Sequence, residues 1–556
     1  MAFLKRFLSE NLHNSSLFRT VYIINLFFCS VCFWNVVGIA VNVLIFFWSL
    51  VLLVDMFWIR KNFHRVKHLA VLFFFLAAGL YTALLHIESN FAVNFVMIYH
   101  AAICFFLFYG MYSEHDGTKL RAEIDRILKL IAYLSTFMAI IGLLFVLFAP
   151  TGRLYLGDYV FGIMDNRFTG AYTNPNLAAF SSVAGMACCH ILIKRNPSTT
   201  NGKRVIPIWA AILCFLTNTI SLLLSDSNSS LIFAVIYICV YAFFRFYQKS
   251  AGSFSKKIIL SVTALILCCG FIVGCGLGLR SVGQTAVSEL INATDQVRVM
   301  AETGGKSSNV QAKNEVKNTS IGRTDSYDLS SGRLDSLKKA MGLFVKFPLF
   351  GIGKGNIVPY GEKYLINSFS FHDLHNGYLT ILISDGIVGL VAFSAFMLLL
   401  AKNLFRFLRR NRNTDLKEFP ALIAALAAYC VFGLFEKAVL FDITFMVMAF
   451  WMLMGHTALF ISEYEWQEDM AVDNRAAIPV SGYIRPGYTY VYPAYPSEAE
   501  SNFHSLESGL PVSSKRSAKL YYEQGLSPPH SVETVEVRRD ILTKKRLLKS
   551  KTSILK

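Results

Sequence analysis

Crossing a bilayer core of about 30 Å takes roughly 20 residues of α-helix, and by that measure the chain alternates long apolar runs with short polar intervals. Runs rich in Phe, Leu, Ile and Val fall near 19–35, 37–58, 67–87, 91–112, 126–149, 174–193, 206–224, 228–247, 257–279, 376–401, 418–435 and 438–462. The pattern predicts about 12 transmembrane helices. The polar intervals alternate as well. Arg60, Lys61, Arg65 and Lys67 share one interval; Lys119 and Arg121 share another. Lys194, Arg195, Lys203 and Arg204 follow, then Lys249, Lys256 and Lys257, then the basic stretch 406–412. Every second interval is basic, which places those loops and both termini on the cytoplasmic side.

Two outside loops remain. The first, 150–173, reads PTGRLYLGDYVFGIMDNRFTGAYT; it is too polar to span and aromatic enough to dip back toward the membrane under protein cover. The second, about 280–375, is the one outside segment large enough to fold by itself. Its early part is polar and poor in aromatics. Its later part, SGRLDSLKKAMGLFVKFP, puts Leu334, Leu337, Met341 and Phe344 on one helical face, with Ser331 placed to cap and Pro348 to stop. That periodicity predicts an amphipathic helix lying on the membrane. Residues 1–18 predict a retained amphipathic surface segment, without a small-residue cleavage site. Residues 463–556, with Pro, Tyr and Ser and a basic end, predict a largely disordered cytoplasmic tail.

Composition agrees with a chain packed in lipid. Of its 556 residues 54% are hydrophobic and 16% charged, the profile of a polytopic membrane protein. The net charge of +17 sits in short clusters between apolar runs, so it reads as loop orientation and not as nucleic-acid binding. All 11 cysteines fall inside apolar segments, which excludes a disulfide framework in the polar loops.

Three outside-facing groups stand near apolar boundaries: Arg167, Arg333 and His375. The planar fork of arginine suits a phosphate held in fixed geometry, although a lone outside arginine also anchors lipid headgroups. Imidazole exchanges protons near neutral pH and serves as a general base, although a boundary histidine is also a common hydrogen-bonding residue. His372 and His375 supply only two ligands at a three-residue spacing, too few for a metal site. Ser384, Asp385 and Gly386 interrupt the tenth span, and an acid inside a membrane helix is functional by default; capping or pairing within the bundle is the plainer reading of Asp385.

His375-Asn376, nine residues and then Gly386-x-x-Gly389 resembles the signature of the O-antigen ligase and O-antigen polymerase superfamily, bacterial membrane glycosyltransferases acting on undecaprenyl-pyrophosphate-linked glycans. The upstream FPLFGIGKGN, with Gly351, Gly353 and Gly355, resembles that family's Pro- and Gly-rich stretch. Arg333 resembles the arginine that begins its loop helix, and Arg167 with Asn174-Pro175-Asn176 resembles its R-x-x-G…N-P-N element. One departure stands out. Where family members often carry a Ser-Arg pair, this chain reads SDSNSS from Ser225 to Ser230, with Asn228 in place of the arginine.

The resemblance implies an all-α polytopic fold of the C-type glycosyltransferase kind, with a large extracytoplasmic catalytic loop before helix 10. It implies metal-independent, ligase-like transfer of a glycan from an undecaprenyl-pyrophosphate carrier to an acceptor hydroxyl, outside the bacterial cytoplasmic (inner) membrane. Expected partners are that donor, a glycan, lipid or protein acceptor, and membrane lipid. No cofactor, metal or nucleic acid is expected. Catalysis is expected from His375, Arg333 and Arg167, and substrate binding from Asn376, His372, Asn174, Asn176, Arg323 and Asp226. A polysaccharide polymerase of the same superfamily is the alternative. So is a lipid-linked glycan flippase, for which Asn218 and Asp385 offer intramembrane polar groups.

Overall fold

A computed structural model describes residues 11–114, 117–156, 159–195, 204–249, 254–302, 321, 333–365, 374–411 and 417–476. Contacts divide the chain into a helical unit, Met1–Ala477, and a second unit, Ile478–Lys556. The second unit, and with it most of the expected tail, lies outside the described residues.

The helices are α1 (Ser15–Cys29), α2 (Asn35–Val54), α3 (Leu69–Leu85), α4 (Phe91–Ala102) and α5 (Gly117–Phe148), followed by α6 (Pro175–Ile193), α7 (Ile208–Ser225), α8 (Asn228–Lys249) and α9 (Phe254–Glu302). After these come α10 (Arg333–Lys346), α11 (Ile357–Tyr364), α12 (Gly377–Arg410), α13 (Phe419–Phe432) and α14 (Phe445–Ala476). Among the described residues nine helices are long and apolar enough to cross a membrane. Three further apolar helices, α1, α3 and α13, fall on expected spans but are shorter than a bilayer is thick. Helix α9 runs on to Glu302, well past the expected end of its span at 279, so the segment expected outside begins as a helical extension.

An all-α fold needs one correction. The loop at 150–173, expected outside, forms a three-stranded antiparallel sheet in the order β1 (Arg153–Leu156), β2 (Tyr159–Met164), β3 (Arg167–Gly170). Asp165 and Asn166 join β2 to β3 with φ of 51° and 56°; a two-residue hairpin turn with both residues left-handed matches strand twist, and Asp and Asn tolerate it best. The sheet is held by apolar burial, Ile163 and Phe168 being almost fully enclosed. Its flank is pinned to α9, where Asp295 accepts from the Thr151 amide at 2.9 Å.

The expected interruption of the tenth span is real. Helix α12 breaks at Gly386, with φ 65° and ψ −164°. A break in a membrane helix frees backbone groups that lipid cannot satisfy. Residues 348–353 supply the partners: the Ile352 and Gly353 amides donate to the Ile383 and Ser384 carbonyls at 3.0 and 2.8 Å, and the Ile387 amide donates to Pro348 at 2.9 Å. This stretch, expected in the outside loop, thus enters the bundle about 15 Å along α12 from its start. Both glycines at the crossing are obligatory. A Cβ on Gly386 meets the Leu349 carbonyl at 2.2 Å, and one on Gly351 meets that of Ile383 at 2.4 Å. Thr82 of α3 and His86 just past its end bind the Phe350 and Gly351 carbonyls, and Asn94 of α4 accepts from the Gly355 amide, which closes the loop in place.

Helix α10 buries Ala340 and Leu343 against Ile352, Leu374, Leu379 and Ile383. Leu334, Leu337 and Met341 of its expected apolar stripe point outward. The far end of the bundle carries an ion cluster: Arg195, just past α6, pairs with Asp125 of α5 and with Glu418 before α13. Burial opposes the Arg195 charge, and the two carboxylates more than restore it, so its pKa is raised.

Candidate functional site

At the opposite end of α6 from Arg195, about 28 Å away along the helix, four loops converge. The left-handed turn at Asp165 and Asn166 delivers Arg167 to the first position of β3. Its Nε donates to the Ser225 carbonyl at 2.9 Å and its Nη2 to Asn176 Oδ1 at 2.7 Å. Ser225 ends α7, Asp226 turns the chain with φ 54°, and the Ser227 carbonyl accepts the first turn of α8 from the Leu231 amide.

Asn174 caps α6, its side chain accepting from the Asn176 amide at 2.7 Å, while Pro175 begins the helix with a preset φ. Asn376 caps α12 in the same way, accepting from the Leu379 amide at 2.9 Å. Both side-chain oxygens are therefore engaged in starting helices. Asp226 forms an ion pair with Arg280 of α9. Arg280 also donates to Asn228 Oδ1 at 2.9 Å, so a cation reaches the Ser225–Ser230 turn from α9.

His375 sits immediately before the Asn376 cap in the left-handed region, at φ 46°. Its position is fixed from both sides. Leu374 is buried in the small apolar cluster under α10, and the Gly377 amide donates to the Gly433 carbonyl at 2.8 Å. That bond sets the histidine against the turn after α13, where Glu436 waits: His375 Nδ1 lies 3.3 Å from Glu436 Oε2. The side chain of His375 is 36% exposed and that of Glu436 is 8% exposed, so the ring faces outward from a sunken carboxylate. Glu436 Oε1 receives Ser229 Oγ at 3.1 Å and Asn176 Nδ2 at 3.5 Å.

The result is one continuous polar chain, Arg167–Asn176–Glu436–His375, joining residues more than 200 positions apart. Of the expected site residues it brings together Arg167, Asn176 and His375, with Asp226 and Asn174 adjoining in sequence. Arg333 is the first residue of α10, a helix that packs beside Leu374; the contacts of its guanidinium are not among those described. His372 and Arg323 lie outside the described residues. Asn218, a candidate path residue, instead bonds Thr136 and the Cys214 carbonyl between α5 and α7.

Glu436 was missed, and so was Arg280. A signal existed for the first: in 419–462 the only acidic or basic groups apart from His456 are Glu436, Lys437 and Asp442, and charge at a tight turn between two spans is costly enough to need a reason. Lys437 pairs with Asp442 at 3.5 Å. That leaves Glu436 to face inward.

With cationic, imidazole and carboxylate groups gathered at one end of a membrane bundle, comparison with known families becomes informative. Residues 210–394 match the O-antigen ligase family. The match begins in α7 and ends in α12 beyond the Gly386 break, so it contains Asp226, Arg280, Arg333 and His375. Over that third of the chain the protein is similar to the O-antigen ligase family. Arg167, Asn176 and Glu436 fall outside the matched segment and reach it only through the fold. No curated protein sequence matches the chain.

Proposed function

We propose that this O-antigen ligase-family protein transfers a glycan from an undecaprenyl-pyrophosphate carrier to an acceptor hydroxyl, at the extracytoplasmic face of a bacterial cytoplasmic membrane. The observation that carries the reading is the His375 ring held beside the Arg167–Asn176 pair. In the reaction, the acceptor oxygen bonds to the anomeric carbon while its proton passes to His375. The bond from that carbon to the pyrophosphate oxygen breaks, and the lipid pyrophosphate leaves with the electron pair. Arg167 and Arg333 stabilise the charge that develops on the leaving group, a contribution of about 10²–10³-fold per well-placed donor. Proton removal by His375 contributes about 10²–10⁴-fold.

An arginine-stabilised leaving group does not call for a metal, and the proposed reaction is metal-independent. Arg121 and Arg195 both pair with Glu418 at the end of the bundle away from the site; basic residues there support a cytoplasmic location for that end and an extracytoplasmic site.

Reconstituted protein supplied with lipid-linked oligosaccharide and acceptor tests the reading. The expected result is a new glycosidic product that forms in chelator and is lost in His375→Ala. Arg333→Lys, which keeps charge but loses the fork, is expected to be severely impaired. Movement of the donor across the bilayer without product replaces this reading with a transporter, and activity restored by zinc or magnesium after chelation overturns the metal-free step.

A further inference from the structure

Glu436 is buried, charged and within reach of the proposed base, and neither the motif set nor the family match accounts for it. We infer that Glu436 is the positioning residue of this site, fixing His375 with its proton on Nδ1 so that Nε2 faces the acceptor hydroxyl. The inference rests on the glycosyl-transfer reading and deepens it.

A carboxylate only accepts, and Glu436 Oε2 lies 3.3 Å from Nδ1. Nδ1 must therefore carry hydrogen, which leaves the lone pair of the neutral ring on Nε2. The carboxylate cannot swing away, because its other oxygen is held by Ser229 Oγ at 3.1 Å and by Asn176 Nδ2 at 3.5 Å. Asn176 is held in turn: Arg167 donates to its Oδ1, so its amide nitrogen is the end directed at Glu436. Among the neighbouring charges, Lys437 is drawn to Asp442, and Asn176 bridges Arg167 to Glu436.

His375 needs such support. It stands at φ 46°, a strained conformation for a side chain with a Cβ, at the mouth of a helix with one face open to solvent. As the proton of the acceptor moves to Nε2, the ring becomes cationic, and a fixed carboxylate 3.3 Å away stabilises that charge. The division of labour is that of a nucleophile-activating triad, in which the acid orients and stabilises the imidazole without taking its proton.

Two measurements on the full-length protein in nanodiscs test this. With ¹⁵N-histidine labelling, and His375→Ala to identify the signal, the neutral His375 ring is expected as the Nδ1–H tautomer in the wild type and as a mixture in Glu436→Ala. In the transfer assay, the isosteric Glu436→Gln is expected to lower kcat by about 10²-fold or more, with the donor KM within about twofold. Glu436→Asp is expected to recover at least about tenfold of that loss. An unchanged tautomer in Glu436→Ala, or a Glu436→Gln protein with wild-type kcat or with only a raised KM, overturns the positioning role. A wild-type protein that yields no glycosidic product overturns the transfer reading, and the tautomer comparison still decides whether Glu436 orients the ring.

Discussion

Asn176 takes the Arg167 guanidinium on its carboxamide oxygen at 2.7 Å and presents its amide nitrogen to Glu436. One side chain thus gives each of two opposite charges the partner it needs, and its orientation follows from both. Replacing it with alanine removes a hydrogen bond to a charged group, worth about 1.5–3 kcal/mol, or about 10–100-fold in rate. Asn176→Asp is expected to be worse than Asn176→Ala despite its closer shape, because it sets a second carboxylate against Glu436. Initial transfer rates of the two variants at saturating donor give the order.

The break in α12 makes a sharper structural prediction. Gly386→Ala forces a Cβ onto the Leu349 carbonyl at a φ that disfavours side chains. Backbone strain of this kind costs about 1–3 kcal/mol, before the loop is displaced. A lower Tm in detergent is expected, together with reduced transfer per folded molecule, since residues 348–353 and the His375 segment share one apolar cluster.

Arg280 brings a guanidinium to the turn where Asn228 stands. Its contacts with Asp226 and Asn228 lie within three residues of the Ser225 carbonyl that holds Arg167. Arg280→Ala is expected to raise the donor KM about tenfold, the size of one lost charge-assisted contact, with a smaller effect on kcat. Titration of the lipid-linked donor checks it. An unchanged KM limits Arg280 to holding the turn.

Acid stability has a predicted sign. Glu114, between the fourth apolar helix and α5, is partly buried; burial raises its pKa, but the paired Arg19 guanidinium overrides that and holds it below the ordinary carboxylate range. A carboxyl depressed in the folded state stabilises the protein at neutral pH, and that contribution is lost as pH falls through the unfolded and then the folded value. Glu114→Gln is therefore expected to have the lower Tm at pH 7, with the gap to wild type narrowing on acidification toward pH 3. Thermal unfolding in detergent across that range measures it.

The positions of the apolar helices, the interruption at Gly386 and the candidacy of Arg167, Asn176 and His375, which the fold brings to one end of the bundle, were legible in the sequence. Each leaves a local trace: hydropathy over about 20 residues, a glycine and an acid inside an apolar run, a cap before a helix. Local pattern also located the first outside loop, although its alternation was too short to reveal a sheet, whose pairing depends on the Asp165-Asn166 turn. What only the tertiary structure decided was contact at long range. Nothing near Glu436 in sequence indicates that it meets His375, 61 residues earlier, because that meeting depends on the Gly377–Gly433 bond and on the packing of α12 against the turn after α13. Likewise, the Pro- and Gly-rich stretch at 347–353 reads as loop, and it becomes part of the bundle because a broken membrane helix must find backbone partners where lipid offers none.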